Sequence, residues 1–161
     1  MSKAIVILEN VAATKNPALI KSVKYQVSSA DTAIQNGQVV AIGALASGER
    51  EVHLATTPAA TTTYFGLTCT PEVMYDEKKQ MDEFENAAGA ISRVVILQKG
   101  DVFAVTAEGF DTTPAVGKLV ELAAATTLKV VASATSGSTQ VGKIIEVETI
   151  DGKTFYAVEV Q

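Results

Sequence analysis

The side chains with chemical reach are few, because His53 is the sole histidine and Cys69 the sole cysteine. His53 stands in Glu51-Val52-His53-Leu54, an alternating segment that reads as a strand, and no acid or nucleophile accompanies it at a fixed spacing. General-base chemistry needs a nucleophile, a base and an orienting group in one place, so a structural or surface role suits His53 better. Cys69 ends another apolar segment, Leu67-Thr68-Cys69-Thr70-Pro71. A reactive thiolate needs a neighbouring cation or a helix N-terminus, so Cys69 reads as a small core side chain. One cysteine also rules out an internal disulfide and gives no metal-ligand spacing.

Gly152-Lys153-Thr154 matches the end of a phosphate-binding loop, but the first glycine of that motif would fall on Val147. The Lys-Thr pair should also open a helix, whereas here it opens a strand after a tight turn. No Gly-x-Gly-x-x-Gly is present, which leaves a dinucleotide fold without support. The acids Asp76, Glu77, Asp82, Glu83 and Glu85 lack the alternating pattern and central glycine of a calcium loop, so they read as a solvated charged segment. The expectation is a protein with no catalytic, cofactor or metal site, and not an enzyme.

Composition narrows the partners. The 161 residues are 47% hydrophobic but only 19% charged, and the net charge is −5. Clustered cations are what attract a phosphate backbone, and the one pair, Lys78-Lys79, sits among acids, so nucleic acid is an unsuitable partner. The apolar run Ala4-Ile5-Val6-Ile7-Leu8 is too short for a signal-peptide core, and no run approaches the ~20 residues that cross a bilayer. A soluble protein with no membrane partner follows as an expectation. A surface poor in charge and rich in Ala and Thr is suited to being covered by neighbours.

Strand signals dominate the chain. Lys143–Glu148, Asp151-Gly152 and Lys153–Val160 read as a C-terminal hairpin, since Asp-Gly supplies the positive φ angles of a type I′ turn. Ser92–Leu97, Lys99-Gly100-Asp101 and Val102–Thr106 predict a second hairpin. Near the start, Val23–Val27 and Gln38–Ile42 are strands on either side of an Asn36-Gly37 turn. Gly37–Ile42 is echoed by Gly117–Leu122, Glu51–Ala55 by Leu128–Ala132, and Tyr64–Thr68 by Val141–Ile145. Either two small β-modules share a core, or the echo is ordinary reuse of a β pattern. Between Glu72 and Ala88 the pattern breaks. Met74, Lys78, Met81 and Phe84 fall at helical spacing, so this segment is a short helix or an ordered excursion. The predicted fold is mainly β: a small β-barrel or sandwich built from hairpins, with an extended N-terminal arm and one long loop or short helix around 72–88. The predicted organisation is an arm at 1–20 and a β-rich domain at 21–161, the latter one unit or two modules at about 21–70 and 92–161.

The run Thr70–Lys79, followed by Asp82-Glu83-Phe84 and by Gly100–Thr106, resembles small proteins encoded beside the major capsid protein of tailed phages. Ile34–Val40 and Val141–Val147 are similar too. The resemblance spans about Lys21 to the C-terminus, and its motifs are structural, so no site residues carry over. It implies a capsid decoration (cement) protein: a virion protein, made in the host bacterial cytoplasm, that binds the outside of the head, commonly as a homotrimer. The implied partners are the major capsid protein and the chain itself, with no cofactor.

Two segments are candidates for such contacts. The first is the terminal stretch Ser2–Asn10, with Lys3, Ile5, Ile7 and Leu8, whose backbone edge invites pairing if no internal strand covers it. The second is the excursion, where Met74, Tyr75 and Phe84 offer anchors and Lys78 and Lys79 a charged rim, unless it simply caps the protein's own core. Rival readings are a β-barrel module that binds sugar or peptide at a phage tail or cell surface, and a hydrolase built on paired carboxylates.

Overall fold

The computed structural model describes the backbone of residues 1–161 and every side chain except that of Glu9. The strands are β1 (Val6–Asn10), β2 (Ile20–Val27), β3 (Ala30–Asp31), β4 (Val39–Leu45), β5 (Val52–Thr56) and β6 (Phe65–Thr68). They continue as β7 (Ser92–Val95), β8 (Val102–Thr106), β9 (Leu119–Ala123), β10 (Ala125–Val131), β11 (Gln140–Ile150) and β12 (Lys153–Val160). Helical structure among the described residues is confined to single 3-10 turns, at Ala12–Thr14, Pro17–Leu19, Met81–Glu83 and Ala107–Gly109. The fold is mainly β, as predicted, and contains a closed barrel.

In the barrel, β2, β5, β4, β6 and β7 are hydrogen-bonded in that order and β7 returns to β2, while β3 is appended to β2. β2 runs parallel to β5, and the other pairs are antiparallel. The second unit is a sheet in the order β1-β8-β12-β11-β9-β10. Both units follow one plan. Within each, the strand after the first turn (β4 or β9) is flanked by the two strands that follow it. Phe110, beyond β8, bridges in parallel to Leu128 of β10, the counterpart of the parallel β2–β5 pair. The sequence echo is therefore a repeated topology, and the glycine opening each copy has positive φ, +77° at Gly37 and +87° at Gly117.

The barrel interior holds a small cluster, Val23, Tyr25, Ile34, Val40, Ile42 and Val94. The larger core lies between the units. Val39, Leu67 and Val95 on the outer wall of the barrel pack with Phe103, Leu122 and Ile144 of the sheet, among others. Val39 and Val40 are both 0% exposed, so the first part of β4 is buried on both faces, which is why its apolar residues run consecutively there rather than alternating. Close packing here leaves no room for side chains at Gly37, whose Cβ would lie 2.5 Å from Val105 Cγ2.

The C-terminal hairpin forms in the expected register, Ile150 opposite Lys153, with φ of +48° at Asp151 and +77° at Gly152. The hairpin predicted across Lys99-Gly100-Asp101 does not form: β7 pairs with β2 and β6, and β8 with β1 and β12. The turn is instead the joint between units, and tertiary partners take its hydrogen bonds. Gly100 N–H donates to Val160 O (2.9 Å), Val160 N–H to Asp101 O (2.8 Å), and Asp101 Oδ1 accepts from Ala12 N–H (2.9 Å). Ser92–Val95 accordingly belongs to the first unit. The N-terminal residues are extended, as predicted, but they are not a free arm. Ala4 and Ile5 are buried, and Val6 and Ile7 pair with Val105 and Ala104 as the edge strand of the chain's own sheet. Burying these aliphatic side chains against the sheet removes them from water, which a free arm would not do. The segment 72–88 is an excursion rather than a helix, with one 3-10 turn.

Candidate functional site: the excursion between β6 and β7

β6 and β7 are antiparallel neighbours, Leu67 opposite Val95 and Thr68 opposite Val94, yet residues 69–91 connect them. Hairpin loops are commonly two to about five residues, and long irregular loops in compact folds are usually functional. Both ends of this one are clamped. Asn36, 1% exposed, is the hub. Its Nδ2 donates to Thr70 O (2.8 Å) and Glu72 Oε1 (3.3 Å), and its Oδ1 accepts from Thr70 N–H (3.0 Å) and Asn86 Nδ2 (3.4 Å). A carboxamide has two donors and two acceptor sites, and Asn36 uses all of them. On the return, Ile34 and Asn86 exchange backbone bonds at 3.0 and 2.9 Å. Arg93 closes the base: its N–H donates to Thr70 Oγ1 and its Nε–H to Cys69 O, each at 3.0 Å.

The terminal residues and the C-terminal hairpin brace the returning limb. Lys3 Nζ bonds Glu85 Oε2 at 2.7 Å, Lys3 N–H donates to Asp82 O at 2.6 Å, and Lys153 Nζ bonds Asp82 Oδ2 at 2.8 Å. The Lys153 hydrogen bond holds the Asp82 carboxyl below its ordinary range. Gln80 N–H donates to Glu83 Oε2 (3.0 Å) in a capping box over the 3-10 turn. Of the acids read as a solvated cluster, Asp82, Glu83 and Glu85 thus have separate structural duties, while Asp76 and Glu77 are exposed. Among the described residues no group of three or more His, Cys, Asp and Glu could hold a metal ion.

Between the clamps the tip is open. Tyr75 is 96% exposed, Val73 59% and Met81 57%, while Met74 and Phe84 are half-buried beneath them. A groove of about 450 Å³ runs between Met74, Tyr75 and Phe84, with Asp76, Lys79 and Glu83 at its rim. Lys78 and Lys79 are exposed. Met74, Tyr75, Lys78, Lys79 and Phe84 therefore share one protruding feature. The other candidates separate from it: Ile5 is buried, Ile7 and Leu8 are half-buried on β1, and Lys3 is engaged with Glu85. Asn36 was readable in the sequence as a turn residue only. Nothing local marks its side chain as the hub of a loop that begins more than thirty positions later.

His53 and Cys69 lie at opposite ends of β4. His53 pairs with Leu45, and Cys69 follows Thr68, whose N–H donates to Gln38 O. The strand length between them is about 20 Å at ~3.3 Å per residue, so they form no nucleophile–base pair. His53 Nδ1 sits 2.9 Å from Gly43 O. Burial pushes the Cys69 thiol up, against the pull of the Arg93 guanidinium. Glu121 is fully buried, with Oε1 accepting the Thr135 N–H, which fastens the β10–β11 loop over the sheet. No protein-family model, curated protein or solved structure matches the chain.

Proposed function

We propose that the chain is a non-enzymatic structural protein of a phage particle, a decoration protein that binds the outer surface of the head and stabilises the capsid lattice. Its partners in this reading are the major capsid protein and two further copies of itself, and it needs no cofactor, nucleic acid or membrane. The protein is made in the host bacterial cytoplasm and resides on the virion surface. The observation that carries the proposal is a loop clamped at both ends to a rigid barrel while it exposes Val73, Tyr75 and Met81. Val73, Met74, Tyr75 and Phe84 line one groove, and an exposed apolar feature of this kind on a protein surface marks a contact site. The residues behind the phage-protein resemblance support the same reading: Ile34–Val40 contains the hub, and Thr70–Lys79 with Asp82–Phe84 forms most of the excursion.

Tyrosines that fill partner pockets are frequent hot spots, worth about 2 kcal/mol or roughly thirtyfold in affinity when truncated. Cosedimentation with emptied tailed-phage heads that lack their own decoration protein tests this. The wild-type chain is expected in the head pellet at saturating stoichiometry, and Tyr75→Ser is expected to need roughly thirtyfold more protein for the same occupancy. Light scattering should give a trimer. A monomer that stays in the supernatant with every head preparation ends the reading.

A further inference from the structure

Asn36, the hub of the excursion, is also the one asparagine of four that precedes a glycine; Asn10, Asn16 and Asn86 precede Val11, Pro17 and Ala87. Asn-Gly is the most labile asparagine pair in polypeptides, because glycine lacks the Cβ that shields a backbone nitrogen from the side chain before it. That nitrogen loses its proton and attacks the carboxamide carbon Cγ. The Cγ–Nδ2 bond breaks, ammonia carries the proton away, and a five-membered succinimide remains. Water then opens the ring at either carbonyl, which gives aspartate or isoaspartate, the latter with one methylene more in the main chain. The net reaction takes up water and releases ammonia, and it needs no other reactant.

The fold holds both reacting groups apart. The nucleophile, Gly37 N–H, donates to Thr68 O (2.8 Å), and its residue is pressed against Val105 and Ala4, so the peptide has no room to swing towards Cγ. The carboxamide is fixed by its four bonds to Thr70, Glu72 and Asn86, and its burial keeps out the base that must take the proton. Only when the excursion lets go of Asn36 can the two atoms meet, and such openings are minor states of a folded chain. The product no longer fits. A carboxylate has no donor for Thr70 O, and it brings a charge to where Nδ2 lies 3.3 Å from Glu72 Oε1. Isoaspartate lengthens the chain at a turn that cannot accept even a Cβ at Gly37.

We propose that Asn36-Gly37 is a spontaneous deamidation site held silent by the fold: opening of the excursion base exposes it, and conversion of Asn36 to aspartate or isoaspartate then keeps the clamp from re-forming. The same side chain thus fastens the excursion and records its release. The inference rests on the clamp geometry and not on head binding.

The full chain is incubated in mildly alkaline buffer, with and without denaturing urea, and digested with trypsin at intervals. Cleavage after Lys24 and Arg50 isolates Tyr25–Arg50, in which Asn36 is the sole asparagine, so the mass gain of deamidation reports on that residue. Deamidation in native buffer is expected to run at least roughly a hundredfold slower than in urea, since it must wait for the clamp to open. Equal rates in the two buffers overturn the proposal. The consequence is tested with Asn36→Asp in fresh, unaged protein. Faster tryptic cleavage after Lys78 or Lys79 than in the wild-type chain, or failure to fold at all, supports the proposal, and unchanged resistance of a folded variant overturns it.

Discussion

The barrel and the sheet make the same connection in opposite ways. Between their last two strands the sheet uses Asp151-Gly152, and the barrel uses residues 69–91. The tight turn lets β11 and β12 run past the core as a long ribbon, where Ile145 and Val147 are 40% and 42% exposed. The ribbon then returns to the excursion, since Lys153 at its tip bonds Asp82. One plan thus tolerates a large insertion at one of its two equivalent turns because strand pairing on either side is already specified by the core. Loop length costs little free energy once the ends are held, each doubling adding only ~0.6 kcal/mol. What the barrel adds is a set of clamps, above all Asn36, that turn a long loop into a presented surface.

Substituting the two glycines that open the repeats gives the largest expected contrast. Gly37→Ala meets Val105 Cγ2 at 2.5 Å and must also hold φ at +77°, whereas Gly117→Ala, at φ +87°, meets nothing within 4 Å. The left-handed backbone costs a non-glycine residue about 1 kcal/mol and overpacking about 1–3 kcal/mol more. Urea unfolding should therefore show a loss of roughly 3 kcal/mol for Gly37→Ala and about 1 kcal/mol for Gly117→Ala. Equal losses would mean that the units are not pressed together at Val105.

Removing the hub comes next. Asn36→Ala strands Thr70 N–H and Thr70 O, while the Asn86 amide keeps its bond to Ile34 O, at a cost of about 2 kcal/mol. More telling than the midpoint is limited trypsin digestion, where cleavage after Lys78 or Lys79 should accelerate well before the barrel unfolds. Cleavage rising only in step with global unfolding would show that Asn36 does not govern the excursion.

The smallest expected effect concerns Glu72. Its folded pKa is raised, so the stability it contributes is fully present below its unfolded value, about 4.3, and is lost as pH rises through the folded value. Glu72→Gln should be neutral at pH 3 and gain a few tenths of a kcal/mol at pH 7, small because the group is only partly buried. Asp82 has the opposite sign: its contribution is present above about pH 3.9 and fades as pH falls through its lowered folded value. Thermal melts of Glu72→Gln and Lys153→Ala across pH 3–7 should diverge accordingly, and parallel curves would contradict both assignments.

Much of the architecture is legible locally. Asp151-Gly152 announces its turn because only residues tolerant of positive φ can occupy it. The echo between Gly37–Ile42 and Gly117–Leu122 marks two strands that prove topologically equivalent. The turn at Ser28-Ser29, with φ of +50° and +66°, carries no such signal, since serine rarely enforces that conformation. The hairpin predicted at Gly100 failed for a similar reason: a turn residue shows that the chain bends but not which strand it bends towards. Tyr75 was visible as an anchor, whereas Asn36 and Arg93 entered the site only through contacts distant in sequence.

By itself, then, the sequence determined the β class, the bends at its Asp-Gly and Asn-Gly pairs, the break in strand pattern after Pro71 and the lack of any motif spacing for chemistry. Only the tertiary structure decided that β2 meets β5 in parallel to close a barrel, that residues 4–8 dock on their own sheet, and that Asn36 clamps the excursion. The division is physical. Alternation and turn conformation are fixed within a few residues, but the choice of neighbouring strand depends on which pairing buries the shared core, and that free energy is written across the whole chain.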